Sequence, residues 1–299
     1  MAAILCHNCR KLISQEETTC PYCGANQRAN RGKSVRKAFF SNDQSAVTFF
    51  VGICVLMYIA TVAGDINTAG SMERGGILGL GSPNQKFLWL TGMTGGFAWV
   101  DGHYWTLFTA SFLHGSLLHI FFNMSWLRQL GALTTAFLGP ARFALVFLVT
   151  GATGFLASNL FHDPILIGTQ TLSNASGVIR EIPIYGPVPT VGASCSIFGL
   201  MGVLIVFGNR RGGTLGQNLN RQMWIWAIIG LLIGEAVPQI NNIGHIGGFV
   251  GGLILGYVFP KQEGVHENAY IHWLALLLIV TTIVGFGLSF WQMWPLVTN

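Results

Sequence analysis

Seven apolar stretches constrain this chain more than any other feature, because each is about long enough to cross a lipid bilayer. A transmembrane helix needs about 20 predominantly apolar residues. The stretches that meet this length lie near 46–64, 115–138, 141–160, 190–208, 222–239, 241–259 and 271–294. Only 9% of the side chains are charged, whereas 51% are hydrophobic, which is far from the composition of a soluble domain. The sequence therefore predicts an all-α polytopic membrane protein with seven spans.

The distribution of basic residues predicts the orientation of the chain. Cytoplasmic segments of membrane proteins carry an excess of Lys and Arg. The segment before the first span contains Arg10, Lys11, Arg28, Arg31, Lys33, Arg36 and Lys37, and the connections after spans two, four and six add Arg142, Arg210, Arg211, Arg221 and Lys261. We therefore expect an integral protein of the cell membrane with its amino terminus in the cytoplasm and its carboxyl terminus outside. The net charge of +5 fits this asymmetry, so membrane lipids are expected partners and nucleic acid is not.

Two long connections are predicted on the outer side of the membrane. Residues 65–113 contain glycines and many aromatic residues, a composition typical of a loop that lies in the membrane interface. Residues 161–189 are rich in Pro, Gly and Ser and are predicted to form the second outer loop.

Two CxxC pairs at the start of the chain predict a small metal-binding domain. Their cysteines are Cys6, Cys9, Cys20 and Cys23. Each CxxC turn directs two thiolates at one point, and four thiolates form a typical tetrahedral zinc site, which stabilises a segment too short to have a core. Two disulfides are the alternative, but the predicted cytoplasmic location is reducing. We expect a zinc ribbon with a structural Zn²⁺ over residues 1–24, followed by a basic juxtamembrane linker over residues 25–45.

Three of the predicted spans carry polar residues at a similar depth. In the predicted orientation, spans two, four and six all run from the outer surface towards the cytoplasm. Ser194 lies a few residues into span four, and His245 lies a similar distance into span six. His119 and Asn123 lie one to two turns into span two. Polar side chains inside a membrane are costly and often functional, although a single one frequently only bonds a neighbouring helix. Their common level indicates one site in the outer half of the bilayer.

The residue types at this level predict nucleophilic catalysis. A serine becomes a nucleophile when a base takes its proton, and His245 is the candidate base for Ser194. His119 and Asn123, four residues apart on one helical face, are candidate oxyanion donors together with the amide of Ser194. Glu235 is the one carboxylate within a predicted span, near the outer end of span five, so the pattern favours a dyad over a triad.

Small residues allow the helices that carry the dyad to approach closely. Glycines recur every four residues in span six, and others lie in span four; they are Gly244, Gly248, Gly252 and Gly256 in the first and Gly192, Gly199 and Gly202 in the second. Small residues at this period let two helix backbones come into contact. We therefore expect spans four and six to pack directly against each other.

Three motifs, in this order along the chain, resemble those of the rhomboid intramembrane serine proteases. They are HGSLLHIFFN from His114 to Asn123, GASCSIFGLMG around Ser194 and NNIGHIGGFVGG around His245. The resemblance covers about residues 46–260 and implies a protease core of six transmembrane helices. Residues 261–299 resemble the additional carboxyl-terminal helix of some family members.

The resemblance implies a function and a role for each polar residue. It implies an endopeptidase that cleaves transmembrane segments of other membrane proteins near the outer surface, without a metal or cofactor for catalysis. Ser194 would be the nucleophile and His245 the general base. The oxyanion would be bound by His119, Asn123 and the amide of Ser194. Phe198, one turn after the serine, would pack its ring on that of His245.

The chain departs from the family pattern at two positions. Cys195 follows the serine where the family usually has glycine, and we expect it to crowd the backbone near the oxyanion site. As a nucleophile Cys195 would be poorly placed, because its side chain points about 100° around the helix from that of Ser194. Thr106 follows Trp105 where arginine is usual, which affects an outer contact. Apart from these departures, the resemblance implies that His114 supports the outer loop.

Two alternatives to a protease remain at the level of sequence. One is a non-catalytic rhomboid-like adaptor that binds membrane helices, but such relatives typically lack the serine or the histidine. The other is a transporter with a zinc-ribbon regulatory domain. A transporter predicts paired repeats and discontinuous helices, and the sequence contains no internal repeat.

Overall fold

Long helices dominate the described part of the chain. The computed structural model describes residues 3–6, 11–14, 17–25, 45–64, 79–173, 179–237, 240–259 and 267–298. In chain order its elements are β1 (Ala3–Leu5), β2 (Leu12–Ser14), α1 (Ser45–Ala63), α2 (Gln85–Leu90), α3 (Gly96–Val100), α4 (Thr106–Thr109), α5 (Leu117–Leu138), α6 (Pro140–Phe161), β3 (Ile165–Ser173), β4 (Ile179–Gly186), α7 (Ser194–Arg211), α8 (Gly213–Ala236), α9 (Asn242–Val258) and α10 (Ala269–Thr298). The seven long helices, α1 and α5 to α10, correspond to the seven predicted spans. We call the end of the bundle at which α5, α7 and α9 begin the outer end, after the predicted orientation.

The long helices differ in how well each satisfies the requirements for a membrane span. Within the described ranges, α1, α6 and residues Ala269–Gln292 of α10 are individually long and apolar enough. A fourth span results if Thr106–Phe112 and Leu117–Leu138 are counted together, although these segments meet at 94°. The helix α9 is apolar but has only 17 residues. The central helix α7 is buried along almost its whole length by its neighbours, so it needs no lipid-facing apolar surface.

Polar and glycine signals set the ends of the helices. The hydroxyl of Ser116 accepts a hydrogen bond from the His119 N–H at 3.3 Å and caps α5. Gly139 has a φ of +99° between α5 and α6, and Pro140 occupies the first turn of α6, where its missing N–H costs nothing. Gly212, at a φ of +70°, separates α7 from α8. These residues mark the start of α5 and the boundaries between α5 and α6 and between α7 and α8.

The packing of α9 on α7 depends on glycine, as the sequence predicts. A Cβ atom on Gly248 would collide with the backbone carbonyl of Cys195, and one on Gly252 would collide with the carbonyl of Gly199. One turn further along, a Cβ on Gly256 would lie 2.7 Å from the Cβ of Val206. The two backbones therefore touch along about two turns of helix.

The outer loop predicted between α6 and α7 contains a β-hairpin. The strands β3 and β4 are antiparallel, Leu166 pairs with Tyr185, and the register shifts between Leu166 and Gly168. The hairpin itself was not predicted, because the Pro, Gly and Ser content of residues 161–189 obscured the β-branched residues Ile165, Ile167 and Ile184, which favour strands. The described part of the other outer connection, from residue 79, contains the short helices α2 to α4 and a 3₁₀ turn at Ala110–Phe112.

Among the described residues, polar contacts attach α10 to the rest of the bundle near both of its ends. At its start, the carboxylate of Glu267 accepts hydrogen bonds from the backbone N–H groups of Ala141 at 3.2 Å and Arg142 at 2.7 Å. These N–H groups belong to the first turn of α6, where they have no partner within the helix. Near the other end, the hydroxyl of Ser289 accepts a hydrogen bond from Trp105 Nε1 at 2.9 Å. Helix α10 is thus fixed to α6 and to residues 79–116, which precede α5 and which we call the outer segment.

Candidate functional site

The four polar residues predicted to form a site all lie at the outer ends of three helices. Ser194 is the first residue of α7 and His245 is the fourth of α9. His119 is the third residue of α5, and Asn123 follows one turn later. The helix begins at Ser194 itself, four residues after the predicted start of span four at residue 190. The backbone N–H of Ser194 is consequently one of the helix-terminal N–H groups that have no intrahelical acceptor.

Gly192 borders the space that Ser194 and His119 share. A Cβ atom at this position would lie 2.6 Å from His119 Nε2 and 3.8 Å from Ser194 Oγ. The residue has a φ of +131°, which L-residues rarely adopt, and its N–H donates to the Ala110 carbonyl at 2.9 Å. Sequence reasoning assigned Gly192 to the contact between spans four and six, which was wrong. Its lack of a side chain instead leaves room between the serine hydroxyl and the imidazole.

The hydrogen bonds of His119 define which ring nitrogen faces this space. Its Nδ1 accepts a hydrogen bond from the Gly115 N–H at 3.3 Å. A neutral imidazole that accepts at Nδ1 carries its proton on Nε2. The nitrogen next to Gly192 is therefore a donor. Asn123 is buried, and its Nδ2 donates to the His119 carbonyl at 2.8 Å, which uses one of the two amide N–H groups and leaves the second.

His245 is held by ring stacking. Its side chain is 6% exposed, and its ring lies 4.3 Å from that of Phe198, centroid to centroid, at an interplanar angle of 13°. Its Nδ1 atom is buried and has no hydrogen-bond partner among the described residues, so no carboxylate orients the ring there. Glu235, the carboxylate of α8, instead accepts a hydrogen bond from Asn242 Nδ2 at 3.5 Å. The lack of an acidic partner for His245 among the described residues favours a dyad over a triad.

The residues that follow Ser194 point elsewhere. Cys195 is 2% exposed, and its sulfur lies between α6 and α9, 3.0 Å from the positions that a Cβ would take on Gly154 and on Gly244. Its side chain therefore does not crowd the space beside Gly192, contrary to expectation. Ser196 is fully buried, and its hydroxyl donates to the Phe147 carbonyl at 2.7 Å.

The outer segment before α5 packs on the site from the side of α5. His114 is fully buried, and its ring lies 5.2 Å from that of His119 in an edge-to-face arrangement. Thr106, where the family usually has arginine, places its hydroxyl 3.2 Å from that of Thr94 and 2.7 Å from the His103 carbonyl. Among the described residues, Thr106 therefore makes its side-chain hydrogen bonds within the outer segment and none with Ser194 or His245.

Sequence reasoning missed Asn241, the residue before α9. Its Oδ1 accepts a hydrogen bond from the Gly244 N–H at 2.9 Å and caps the helix that carries His245. Its Nδ2 donates to the hydroxyls of Ser158 and Thr190, on α6 and on the loop before α7. An Asn three residues before the first packed glycine of a helix is an N-cap signal that the sequence offered.

A second cluster lies in the amino-terminal segment, where β1 and β2 form an antiparallel pair. The sulfurs of Cys6, Cys20 and Cys23 all lie within 4.8 Å of one another, and those of Cys6 and Cys23 are 3.7 Å apart. With Zn–S bonds of about 2.3 Å, tetrahedral coordination places two sulfurs about 3.8 Å apart. The three thiols thus fit a zinc ion, and no disulfide joins them. Cys9, the fourth predicted ligand, lies outside the described residues.

Comparisons with known proteins agree with the motifs. A family model described as the rhomboid domain matches residues 101–262, more than half of the chain. Rhomboid protease GluP of Bacillus subtilis is 28% identical over 261 residues, which cover 85% of this chain and 42% of that protein. Putative rhomboid protease YdcA of Bacillus subtilis is 27% identical over 181 residues, which cover 59% of this chain and 78% of that protein. Inactive RHOMBOID-like protein 8 of Arabidopsis thaliana is 27% identical over 162 residues, which cover 52% of this chain and 39% of that protein. The chain spans less than half the length of the first and the third of these relatives.

Proposed function

The chain belongs to the rhomboid family of membrane proteins, and on that premise we propose that it is an intramembrane serine endopeptidase that cleaves transmembrane segments of other membrane proteins. The observation that carries the proposal is the space beside Gly192, which the hydroxyl of Ser194 and the Nε2 of His119 both border. A nucleophile and a hydrogen-bond donor at one small space are two of the components that acyl transfer requires, and His245 is the third, the base. The similarity to both protease-named and inactive relatives makes these residues, and not the fold, the basis of the proposal.

In this mechanism Ser194 Oγ attacks the carbonyl carbon of the scissile peptide bond while His245 takes the hydroxyl proton. His245 then gives that proton to the leaving amine, and water releases the acyl group in the reverse sequence. The negative oxygen of each tetrahedral intermediate accepts hydrogen bonds from the Nε2–H of His119, the second amide N–H of Asn123 and the backbone N–H of Ser194. No metal or cofactor takes part in these steps.

The position of the site predicts where a substrate is cut. The serine lies at the outer end of α7, so a transmembrane substrate would be cleaved near the outer surface in the proposed orientation, with the amino terminus in the cytoplasm. The carbonyls of a helix are hydrogen-bonded within the helix. A substrate must therefore unwind locally before its peptide bond reaches Ser194.

For the amino-terminal segment we propose a structural Zn²⁺ bound by Cys6, Cys9, Cys20 and Cys23. The sulfur positions of the three described cysteines support this. The ion would stabilise the segment, since only Cys6, Ile13 and Cys20 form its buried apolar cluster among the described residues.

The proposal is tested by labelling the purified full-length protein with a fluorophosphonate probe and by its cleavage of a helical membrane substrate. Wild type and Cys195→Ala should both be labelled and should both cleave, whereas Ser194→Ala should do neither. Labelling lost in Cys195→Ala but kept in Ser194→Ala would instead identify a thiol mechanism. A wild type that binds the substrate helix, but is neither labelled nor active, would indicate the adaptor function.

A further inference from the structure

The side chain of Asn241 bonds three segments at the outer end of the bundle. Its Oδ1 accepts from the Gly244 N–H at 2.9 Å, at the start of the helix that carries His245. Its Nδ2 donates to Thr190 Oγ1 at 3.2 Å and to Ser158 Oγ. Thr190 precedes Ser194 by four residues, and Ser158 is in the last turn of α6.

The loop that Asn241 contacts is itself held on its other side. The backbone N–H of Thr190 donates to the Thr94 carbonyl at 2.9 Å, and the Thr94 N–H donates back to the Thr190 carbonyl at 3.3 Å. The Thr94 hydroxyl also accepts a hydrogen bond from Asn159 Nδ2 at 3.1 Å. The segment that leads into Ser194 is therefore fixed between the outer segment and the start of α9.

We propose that Asn241 is a positioning residue that sets the placement of His245 relative to Ser194; the inference rests on the proposed function of these two residues. His245 has no partner at Nδ1 within the described structure, so its position depends on its stack with Phe198 and on the position of the first turn of α9. Asn241 fixes that turn to the loop before the serine. Small displacements of a reacting group cost large factors in rate.

The test uses the full-length protein carrying Asn241→Ser. Serine caps a helix about as well as asparagine, but its side chain is too short to reach Thr190 and Ser158. We expect phosphonylation of Ser194 by a fluorophosphonate, and kcat for a helical substrate, to fall about 10- to 100-fold while KM is unchanged. Asn220→Ser is the matched control. Asn220 Nδ2 on α8 likewise donates a hydrogen bond, at 3.0 Å, to the Ile205 carbonyl on α7, away from the site.

A second pair of variants keeps the inference testable if Asn241→Ser does not fold. Thr190→Val removes the hydroxyl that Asn241 contacts and should slow labelling, whereas Thr190→Ser retains the hydroxyl and should restore it. Labelling of Asn241→Ser or Thr190→Val at the wild-type rate would overturn the positioning role. The positioning role would also be overturned if Asn241→Ser lowered the labelling rate no more than Asn220→Ser does when the two variants have lost the same thermal stability. If wild type is not labelled at Ser194, the proposed function itself fails.

Discussion

The imidazole of His245 lies nearly parallel to the phenyl ring of Phe198, with 4.3 Å between the ring centroids and 13° between the planes. Phe198 is one turn after Ser194, so the ring that supports the histidine belongs to the helix that carries the serine. In a catalytic triad an acidic side chain orients the histidine. Among the described residues, no acidic side chain bonds Nδ1 of His245, and its ring stacks on Phe198.

We predict that Phe198→Leu slows catalysis more than its effect on stability explains. An aromatic pair contributes about 0.5–1.5 kcal/mol beyond burial, so we expect kcat to fall about 2- to 10-fold. Phe207→Leu is the control, because Phe207 is buried on the same helix and stacks on Phe137 with 5.1 Å between the centroids. Thermal unfolding in detergent and cleavage of a helical substrate should be compared. Equal losses of rate in both variants would mean that the stack has no specific role.

Removal of either member of the proposed dyad should abolish cleavage. Ser194→Ala lacks the nucleophile and His245→Ala lacks the base, and groups that act as a unit are not additive. The double variant should therefore be no slower than either single variant. The residual turnover of the two single variants and of the double variant, measured with excess enzyme, tests this expectation. A double variant that is slower by the product of the two single effects would show that the residues act independently.

Asn123→Ala tests the proposed oxyanion site. Loss of one such donor typically lowers the rate about 100- to 1000-fold, and because Asn123 shares the task with two other donors we expect a fall of about 10- to 1000-fold with some turnover left. KM should change little, since the charge develops only in the transition state. Asn220→Ala removes a partly buried side-chain amide far from the site and should leave kcat unchanged. A wild-type kcat in Asn123→Ala would remove this residue from the mechanism.

Gly252→Ala tests the contact between α9 and α7. A Cβ at Gly252 would collide with the carbonyl of Gly199, and overpacking typically costs about 1–3 kcal/mol. We expect a lower thermal unfolding midpoint and reduced cleavage. Gly287→Ala is the matched control in α10, where an added Cβ meets no atom within 4 Å. That variant should be as stable as wild type or slightly more stable, because alanine favours helix. Equal effects at the two glycines would contradict a role for close backbone contact.

The amino-terminal cysteines should bind one zinc ion per chain. Metal analysis of protein purified without chelators should find this ion, and Cys20→Ser should lose it because three ligands bind zinc less tightly than four. Protein that lacks residues 1–24 should still cleave the helical substrate, since the dyad lies at the opposite side of the membrane in the proposed orientation. Absence of zinc from wild type would refute the first expectation, and loss of activity in a folded truncated protein would refute the second.

The sequence by itself determined the class of fold and the residues of the candidate site. Apolar stretches of about 20 residues have one stable form in a bilayer, because a helix satisfies its backbone hydrogen bonds internally. The spacing of Gly248 and Gly252 determined the face on which α9 meets α7. Polar residues such as Ser194 and His245 were recognisable because a membrane span tolerates few of them.

The tertiary structure decided what depends on contacts between distant segments. Helix α7 begins at Ser194 because Gly192 turns the chain against Ala110, a contact across about eighty residues that no local pattern encodes. The direction of Cys195 was likewise decided by Gly154 of a neighbouring helix, which leaves room for its sulfur. The role proposed for Asn241 follows from hydroxyls on α6 and on the loop before α7. Sequence periodicity reports the environment of one helix at a time, whereas a site is defined by which helix ends meet.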